Sequence, residues 1–185
     1  MVNKLTILEC LEPFLTKPTE ALHLADIARL TNTPHPTLRL WLNNLEKQGI
    51  LKKTYKGRLT LYELNLNHNI IDYLTIAEKN KLIKICEKQL ILKELTSFIQ
   101  ENTNRTAIVF GSAAEEFNKA NDIDLLITGR IDKKKLKEFS KKFNKEIHLI
   151  NVKNLNKISK SLKQEIIKKH LIIKGSEQIL RWILW

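Results

Sequence analysis

The stretch from Val109 to Gly129, VFGSAAEEFNKANDIDLLITG, places two aspartates in an apolar run that is typical of a buried β-strand. A carboxylate in such a strand is costly to bury unless water, a partner or a metal ion satisfies it. Asp122 and Asp124 are two residues apart, so a strand directs both side chains to one face. The sequence therefore predicts a cationic group opposite that face.

The chain around this stretch alternates strand and helix patterns, which defines a predicted domain over residues 105–185. Short apolar runs predict buried strands, and the amphipathic, lysine-rich stretch between two of them predicts a helix. We expect a further helix near residues 161–169, a short strand in HLIIKG and a last helix in SEQILRWILW. The predicted strands are TAIVF (106–110), IDLLI (123–127) and EIHLINV (146–152).

The first 66 residues predict a different arrangement. Helical spacing covers residues 4–15 and 24–31, and a third helix starts at the prolines near residue 35 and ends at Gly49. Two strands then follow, joined at residues 55–58. This order of three helices and a hairpin resembles the winged helix-turn-helix superfamily.

That resemblance implies a DNA-binding surface, because the third helix of such a domain enters the major groove and the hairpin tip touches the backbone. On the third helix, Thr37, Arg39 and Asn43 are candidates for contacts with bases. At the hairpin, Lys56 and Arg58 are candidates for contacts with phosphates. Winged helices also act as docking or dimerisation modules, and the sequence leaves that alternative open.

Residues 67–104 contain no Gly or Pro and have apolar residues at helical spacing. They predict a helical connector with a break near Asn80. The fold class is therefore α+β: a winged helix-turn-helix over residues 1–66, a connector over 67–104 and a small mixed-sheet domain over 105–185.

The net charge of +12 is concentrated in residues 105–185, which contain 18 basic and 9 acidic residues. Such an excess favours polyanionic partners such as nucleic acid or nucleotides. No apolar stretch is long enough to span a membrane, which favours a cytoplasmic protein. Cys10 and Cys86 form neither a disulfide framework nor a metal-binding spacing.

The residues between Val109 and Gly129 predict a phosphate and metal site. Gly111 permits a tight turn and close approach of a phosphate. The Ser112 hydroxyl and the N–H groups that open the following helix suit a triphosphate. Asp122 and Asp124 suit Mg²⁺, which prefers a few carboxylates together with substrate oxygens.

Gly-Ser followed by about ten residues and Asp-x-Asp in an apolar strand resembles the DNA polymerase beta superfamily of nucleotidyltransferases, over roughly residues 80–175. The resemblance is closest to the minimal nucleotidyltransferases. It implies that Gly111 and Ser112 bind the triphosphate of an NTP, such as ATP, and that Asp122 and Asp124 bind Mg²⁺. Members of the family transfer a nucleoside monophosphate to a hydroxyl, and many minimal nucleotidyltransferases are antitoxins that adenylylate a HEPN toxin.

The sequence departs from the family pattern at three places. Glu115 and Glu116 stand where a basic residue and a small residue are usual, and Lys119 is a candidate to compensate at the nucleotide. The third carboxylate expected on a later strand is replaced by His148, with Glu146 two residues earlier. Either side chain is a candidate base for the acceptor hydroxyl.

Three hypotheses follow from these residues. The first is a Mg²⁺-dependent enzyme that transfers AMP to a protein or other macromolecular hydroxyl, with a winged helix for DNA or target recognition. The second is a DNA-binding regulator whose nucleotidyltransferase-like domain senses NTP or docks a partner without turnover. The third is an enzyme that acts on RNA ends. The apolar ending ILRWILW is expected to pack in the core or to form a homodimer or partner contact.

Overall fold

A computed structural model describes residues 7–67 and 69–185 of the chain. The chain divides into two compact units, one that ends at Asn80 and one that begins at Lys81. The predicted domain boundaries after residues 66 and 104 stay predictions.

The first unit contains the helix, helix, helix and hairpin order that the sequence predicts. Residues 4–6 of the first predicted helix lie outside the described residues, and the part from Ile7 to Leu15 is a 3₁₀ turn followed by a helical turn. Its elements are a 3₁₀ helix at Ile7–Leu11, α1 (Glu12–Leu15), β1 (Leu22–His23), α2 (Leu24–Thr31), α3 (His35–Lys47), β2 (Leu51–Lys56) and β3 (Leu59–Leu64).

Helix α3 has the limits that its sequence indicates. Pro34 occupies the N-cap position, and a proline in the first turn is compatible with a helix start. Leu38 and Leu42 are fully buried along one stripe. Gly49 follows the helix with a φ of +72°, a conformation that favours glycine at a helix end.

The sheet of the first unit has an extra strand that the sequence analysis missed. The two-residue strand β1 pairs with β3 antiparallel, with Leu22 opposite Tyr62, and gives the order β1-β3-β2. A strand of two residues has no period of its own, so no alternation of apolar and polar residues could indicate it.

The connecting helix corrects the prediction of a break at Asn80. Helix α4 runs without interruption over Ile70–Lys88, and the break comes at Gln89, which has extended dihedral angles. Asparagine is only mildly unfavourable inside a helix, by less than about 1 kcal/mol, so tertiary packing overrides it. Helix α5 (Leu90–Asn102) follows directly.

The second unit is built on a four-stranded mixed sheet in the order β6-β5-β4-β7. Only the β5–β6 pair is parallel; β4 pairs antiparallel with both β5 and β7. The α+β class and the mixed sheet are therefore confirmed. Its further elements are β4 (Ala107–Phe110), α6 (Ser112–Glu115), β5 (Asp122–Thr128), α7 (Lys133–Phe143), β6 (Glu146–Val152), a 3₁₀ turn at Leu155–Lys157, α8 (Lys160–Lys168), β7 (His170–Lys174) and α9 (Ser176–Leu184).

One face of this sheet packs against helices α5 and α7. Ile123 and Leu125 of β5 are fully buried in that core, together with Leu95 of α5 and Phe139 of α7. Because side chains alternate along a strand, this packing directs the residues on either side of Ile123 to the opposite face.

The apolar end of the chain forms helix α9, and part of that helix is buried. Ile179, Leu180 and Ile183 of α9 are buried, which agrees with core packing. The Lys163 ammonium lies 5.0 Å from the centre of the Trp182 ring. A homodimer through this helix stays a prediction. Among the described residues, no helix combines the length and the apolar character that a membrane span requires.

The two cysteines differ in their environment. Cys10 is fully buried, whereas Cys86 is half-buried with its Sγ 3.6 Å from the Thr96 hydroxyl. Burial raises the pKa of the Cys10 thiol to about 12, and the nearby carboxylates of Glu9 and Glu12 add to the shift. The Cys10 thiol is therefore protonated in the folded protein at neutral pH.

Candidate active site

The turn at Gly111 brings the end of β4 against the carboxylate of Asp124. Phe110 is the last residue of β4 and lies opposite Asp124 in the antiparallel ladder. Gly111 then adopts φ +70° and ψ −147°, which L-residues rarely adopt. A Cβ atom on Gly111 would lie 2.7 Å from Asp124 Oδ2. The local structure thus requires glycine both for its dihedral angles and for the space beside Asp124.

The pairing of β5 with β6 gathers four polar side chains on one face of the sheet. In the parallel register Asp122 lies beside Glu146, and Asp124 lies beside His148. The intervening Ile123 is fully buried on the other face. The two predicted metal ligands and the two candidate bases therefore share one surface.

The His148 imidazole lies between the carboxylates. Its Nδ1 is 3.3 Å from Asp122 Oδ2 and 3.4 Å from Asp124 Oδ1, and its Nε2 is 3.4 Å from Glu146 Oε1. Desolvation lowers the pKa of His148, but the charges of Glu146 and Asp122 and the hydrogen bonds with Asp124 and Glu146 outweigh it. The pKa is raised as a result.

The donor set fits a divalent cation. Asp122, Asp124 and His148 each offer one ligand atom, and these atoms all lie within 4.8 Å of one another. The two carboxylates suit Mg²⁺ or Mn²⁺ in a site that substrate oxygens complete. His148 is therefore a candidate third ligand as well as a candidate base, and the sequence predicts only the role as a base. The parallel register of β5 and β6, which brings it beside Asp124, is not evident from local sequence.

An open cleft of about 670 Å³ lies beside Asp122 and Ser112. Helix α6 forms one wall and is a single turn. Lys119, a predicted nucleotide-binding residue, lines the cleft, and its Nζ is 3.0 Å from Glu116 Oε1 in an exposed ion pair. Lys119 and Glu116 thus largely neutralise each other at the wall.

The acidic residue within α6, Glu115, is also paired. Glu115 Oε2 lies 2.8 Å from Lys169 Nζ. The backbone of Lys169 is tied to the same turn, because its carbonyl accepts a hydrogen bond of 3.3 Å from the Gly111 N–H. Lys169 is 54 residues from Glu115, and the sequence does not predict its contact with the turn. Its position immediately before the predicted strand HLIIKG is the one feature of the sequence that could have indicated it.

The loop that leads from α6 to Asp122 is held by Lys145, the residue just before β6. Phe117 is buried, and Lys145 donates from its Nζ to the carbonyl oxygens of Asn118, at 3.4 Å, and of Ala120. These contacts fix the chain just before β5. They therefore help to position Asp122 at the edge of the cleft.

The predicted DNA-contacting residues lie on α3 and at the β2–β3 hairpin. Arg39, Lys56 and Arg58 are exposed, and Thr37 is half-buried. Asn43 is half-buried as well, and its Oδ1 accepts a hydrogen bond of 2.9 Å from Lys53 Nζ. The DNA-binding role of all five predicted residues stays a prediction.

Comparison with known proteins identifies the domain that carries the candidate site. Residues 93–178 match the family model described as polymerase beta, nucleotidyltransferase. This part of the chain is therefore a nucleotidyltransferase-type domain. It contains the turn at Gly111 and all four polar residues on β5 and β6.

One curated relative is the heat-inducible transcription repressor HrcA of Phytoplasma mali (strain AT). It is 30% identical over 107 residues, which cover 51% of this chain and 31% of the repressor. The chain thus spans about a third of the length of the curated relative that it matches.

Solved structures resemble the chain at low overlap. AF1382 from Archaeoglobus fulgidus has a TM-score of 0.36 and 20% identity, and covers 48% of this chain and 93% of its own. A mutant of the toxin–antitoxin MntA–HpeT has a TM-score of 0.35 and 16% identity, over 49% of this chain and 78% of its own. TrmBL2, an archaeal chromatin protein, has a TM-score of 0.29 and 16% identity, over 87% of this chain and 69% of its own. No functional conclusion follows from overlap this low.

Proposed function

We propose that the chain is a Mg²⁺-dependent nucleotidyltransferase that moves a nucleoside monophosphate, AMP in our proposal, from an NTP to a hydroxyl of a protein or other macromolecule. One observation carries the proposal: the Gly111 turn packs so closely on Asp124 that a Cβ would come within 2.7 Å of its carboxylate. A phosphate-binding turn beside a carboxylate pair is the arrangement that metal-assisted phosphoryl transfer needs.

In this proposal the chain's own residues bind and orient the substrate. Asp122 and Asp124 hold the divalent cation, and Ser112 donates a hydrogen bond to a phosphate oxygen. The charge of a divalent cation bound by these carboxylates would neutralise the phosphates and stabilise the leaving pyrophosphate. The acceptor oxygen bonds to the α-phosphorus as the bond to the bridging oxygen of pyrophosphate breaks. The hydroxyl proton passes to His148 or Glu146.

The proposed acceptor is a protein, and the role of the chain is antitoxin-like. The resemblance to minimal nucleotidyltransferases favours a HEPN-type toxin as the acceptor, with ATP as the donor. The first unit would then recognise DNA or the target, and the match to a transcription repressor favours DNA.

A second candidate function is a DNA-binding regulator whose nucleotidyltransferase-type domain senses NTP or docks a partner without turnover. The identity of the residue beside Asp124 on β6 favours it. His148 occupies that position, where a carboxylate would strengthen both metal binding and deprotonation of the acceptor. Under this alternative the cleft binds Mg-NTP but transfers nothing.

Label transfer distinguishes the two candidates. The purified protein would be incubated with Mg²⁺, α-labelled ATP and cell lysate, and pyrophosphate release and labelled macromolecules would be measured. The Asp124→Asn variant keeps the side-chain shape but removes the charge, and Glu138→Gln removes an exposed charge on α7 as a control. Transfer that survives in the control and is lost in Asp124→Asn supports the enzyme.

Calorimetric titration with each Mg-NTP completes the test. NTP binding without label transfer supports the sensor, and each nucleotide proposal fails if no NTP binds.

A further inference from the structure

The cleft beside Ser112 has more acidic than basic residues on its wall. Glu115, Glu116 and Asp122 line it, whereas Lys119 is a single basic residue among the lining residues that the structure describes. A triphosphate adds several negative charges. Part of that charge is compensated by the cation that Asp122 would hold, so a further basic side chain is needed at the wall.

Lys169 is placed to supply this charge. Strand β7 pairs with β4 so that His170 lies opposite Phe110, which puts Lys169 beside Gly111. The Gly111 N–H donates to the Lys169 carbonyl at 3.3 Å. Its ammonium reaches over the turn to Glu115 Oε2, at 2.8 Å. The backbone of Lys169 is thus held at the turn, and its ammonium contacts Glu115, one of the residues that line the cleft.

The neighbouring residue holds this backbone in position. His170 is buried, and its Nδ1 lies 2.9 Å from the Ile166 carbonyl of α8. The His170 carbonyl in turn accepts a hydrogen bond of 2.8 Å from Lys81 Nζ. Lys169 therefore projects from a fixed point, so binding through it orders only its own side chain.

The present partner of Lys169 is easily replaced. The side chains of Lys169 and Glu115 are 46% and 56% exposed, and an ion pair in such a setting contributes little. A lysine bound to a triphosphate makes a stronger, charge-assisted hydrogen bond. Lys119 is less suitable because its side chain is 78% exposed and pairs within its own turn.

We propose that Lys169 binds the triphosphate of the NTP and that Glu115 is its partner only while the cleft is empty of nucleotide. This inference rests on the proposed function and deepens it. In this inference Lys169 supplies the positive charge that the acidic wall of the cleft lacks. It also makes Glu115 a competitor that weakens nucleotide binding.

Calorimetry with two probes, MgATP and magnesium tripolyphosphate, tests the assignment on the full chain. Lys169→Gln should lower the affinity for both probes roughly tenfold, because it removes a hydrogen bond to a charged group. Glu115→Gln should raise both affinities about two- to fivefold, since it frees Lys169 and removes a repulsive charge. Lys168→Gln removes an exposed charge one residue away and should change neither affinity by more than about twofold.

The sign of the Glu115→Gln effect separates binding from a merely structural ion pair. A structural pair predicts that Glu115→Gln and Lys169→Gln weaken binding alike, and that result would overturn the inference. So would an affinity of Lys169→Gln equal to that of Lys168→Gln, with the proposed function left intact. If the unsubstituted chain binds neither probe, the proposed function and the inference fail together. Circular dichroism confirms that each variant is folded, and Lys169→Arg should retain most of the affinity.

Discussion

Alanine at Gly111 is expected to destabilise the second unit through two separable effects. The backbone has φ +70° and ψ −147°, and holding a non-glycine residue in such a region costs about 1–3 kcal/mol. The new Cβ would also lie 2.7 Å from Asp124 Oδ2 and force that carboxylate out of its rotamer, at about 0.5–1.5 kcal/mol. Gly111→Ala should therefore lower the free energy of unfolding by about 2–4 kcal/mol.

A double-mutant cycle with Asp124→Ala isolates the contact between the two residues. Without the carboxylate the clash is relieved, so Gly111→Ala should cost about 1 kcal/mol less in that background. Gly57→Ala serves as a backbone control, because Gly57 has φ +60° and no atom within 4 Å of the added Cβ. Urea denaturation followed by circular dichroism and tryptophan fluorescence gives each free energy. Equal costs in both backgrounds would refute the close approach of Gly111 to Asp124.

Four other substitutions test separate parts of the chain. His148→Asp restores a carboxylate on β6 and should raise label transfer roughly tenfold or more, whereas complete loss of transfer would identify His148 itself as the base. Burial raises the pKa of the Cys10 thiol from 9.0 to about 12, so the folded state favours the protonated thiol. The stability that this preference contributes is fully present below pH 9.0 and decreases as the pH rises towards 12. The free energy of unfolding should therefore fall more between pH 8 and 10.5 than it does in Cys10→Ala, and parallel curves would contradict this. Arg39→Ala should weaken the binding of duplex DNA by about 1–3 kcal/mol, and Arg58→Ala should reduce the slope of log affinity against log salt concentration by about 1. Fluorescence anisotropy measures both effects. If neither substitution has an effect, a docking role is favoured.

The element order and the carboxylate pair could be predicted because their signals are local. Asp122 and Asp124 interrupt an apolar strand pattern at a spacing of two, so both their exposure and their common face follow from the sequence. The strand at residues 146–152 was predicted with the bounds that the structure has. The family resemblance makes His148 a candidate on that strand, whereas its position beside Asp124 follows from the parallel register of β5 and β6.

The remaining parts depend on contacts between distant segments. Lys169 reaches Glu115 only because β7 pairs with β4, and no local pattern encodes that pairing. The same holds for Lys145, which fixes the loop before β5. The break at Gln89 was wrongly placed at Asn80, because helix propensity alone distinguishes the two residues poorly.

The most direct test of the central claim is a crystal structure of the chain with Mn²⁺ and a non-hydrolysable ATP analogue. The account predicts an anomalous manganese peak within coordination distance of both Asp122 and Asp124, with the triphosphate over the Gly111–Ser112 turn. Manganese and nucleotide bound elsewhere, with none at this pair of carboxylates, would contradict it.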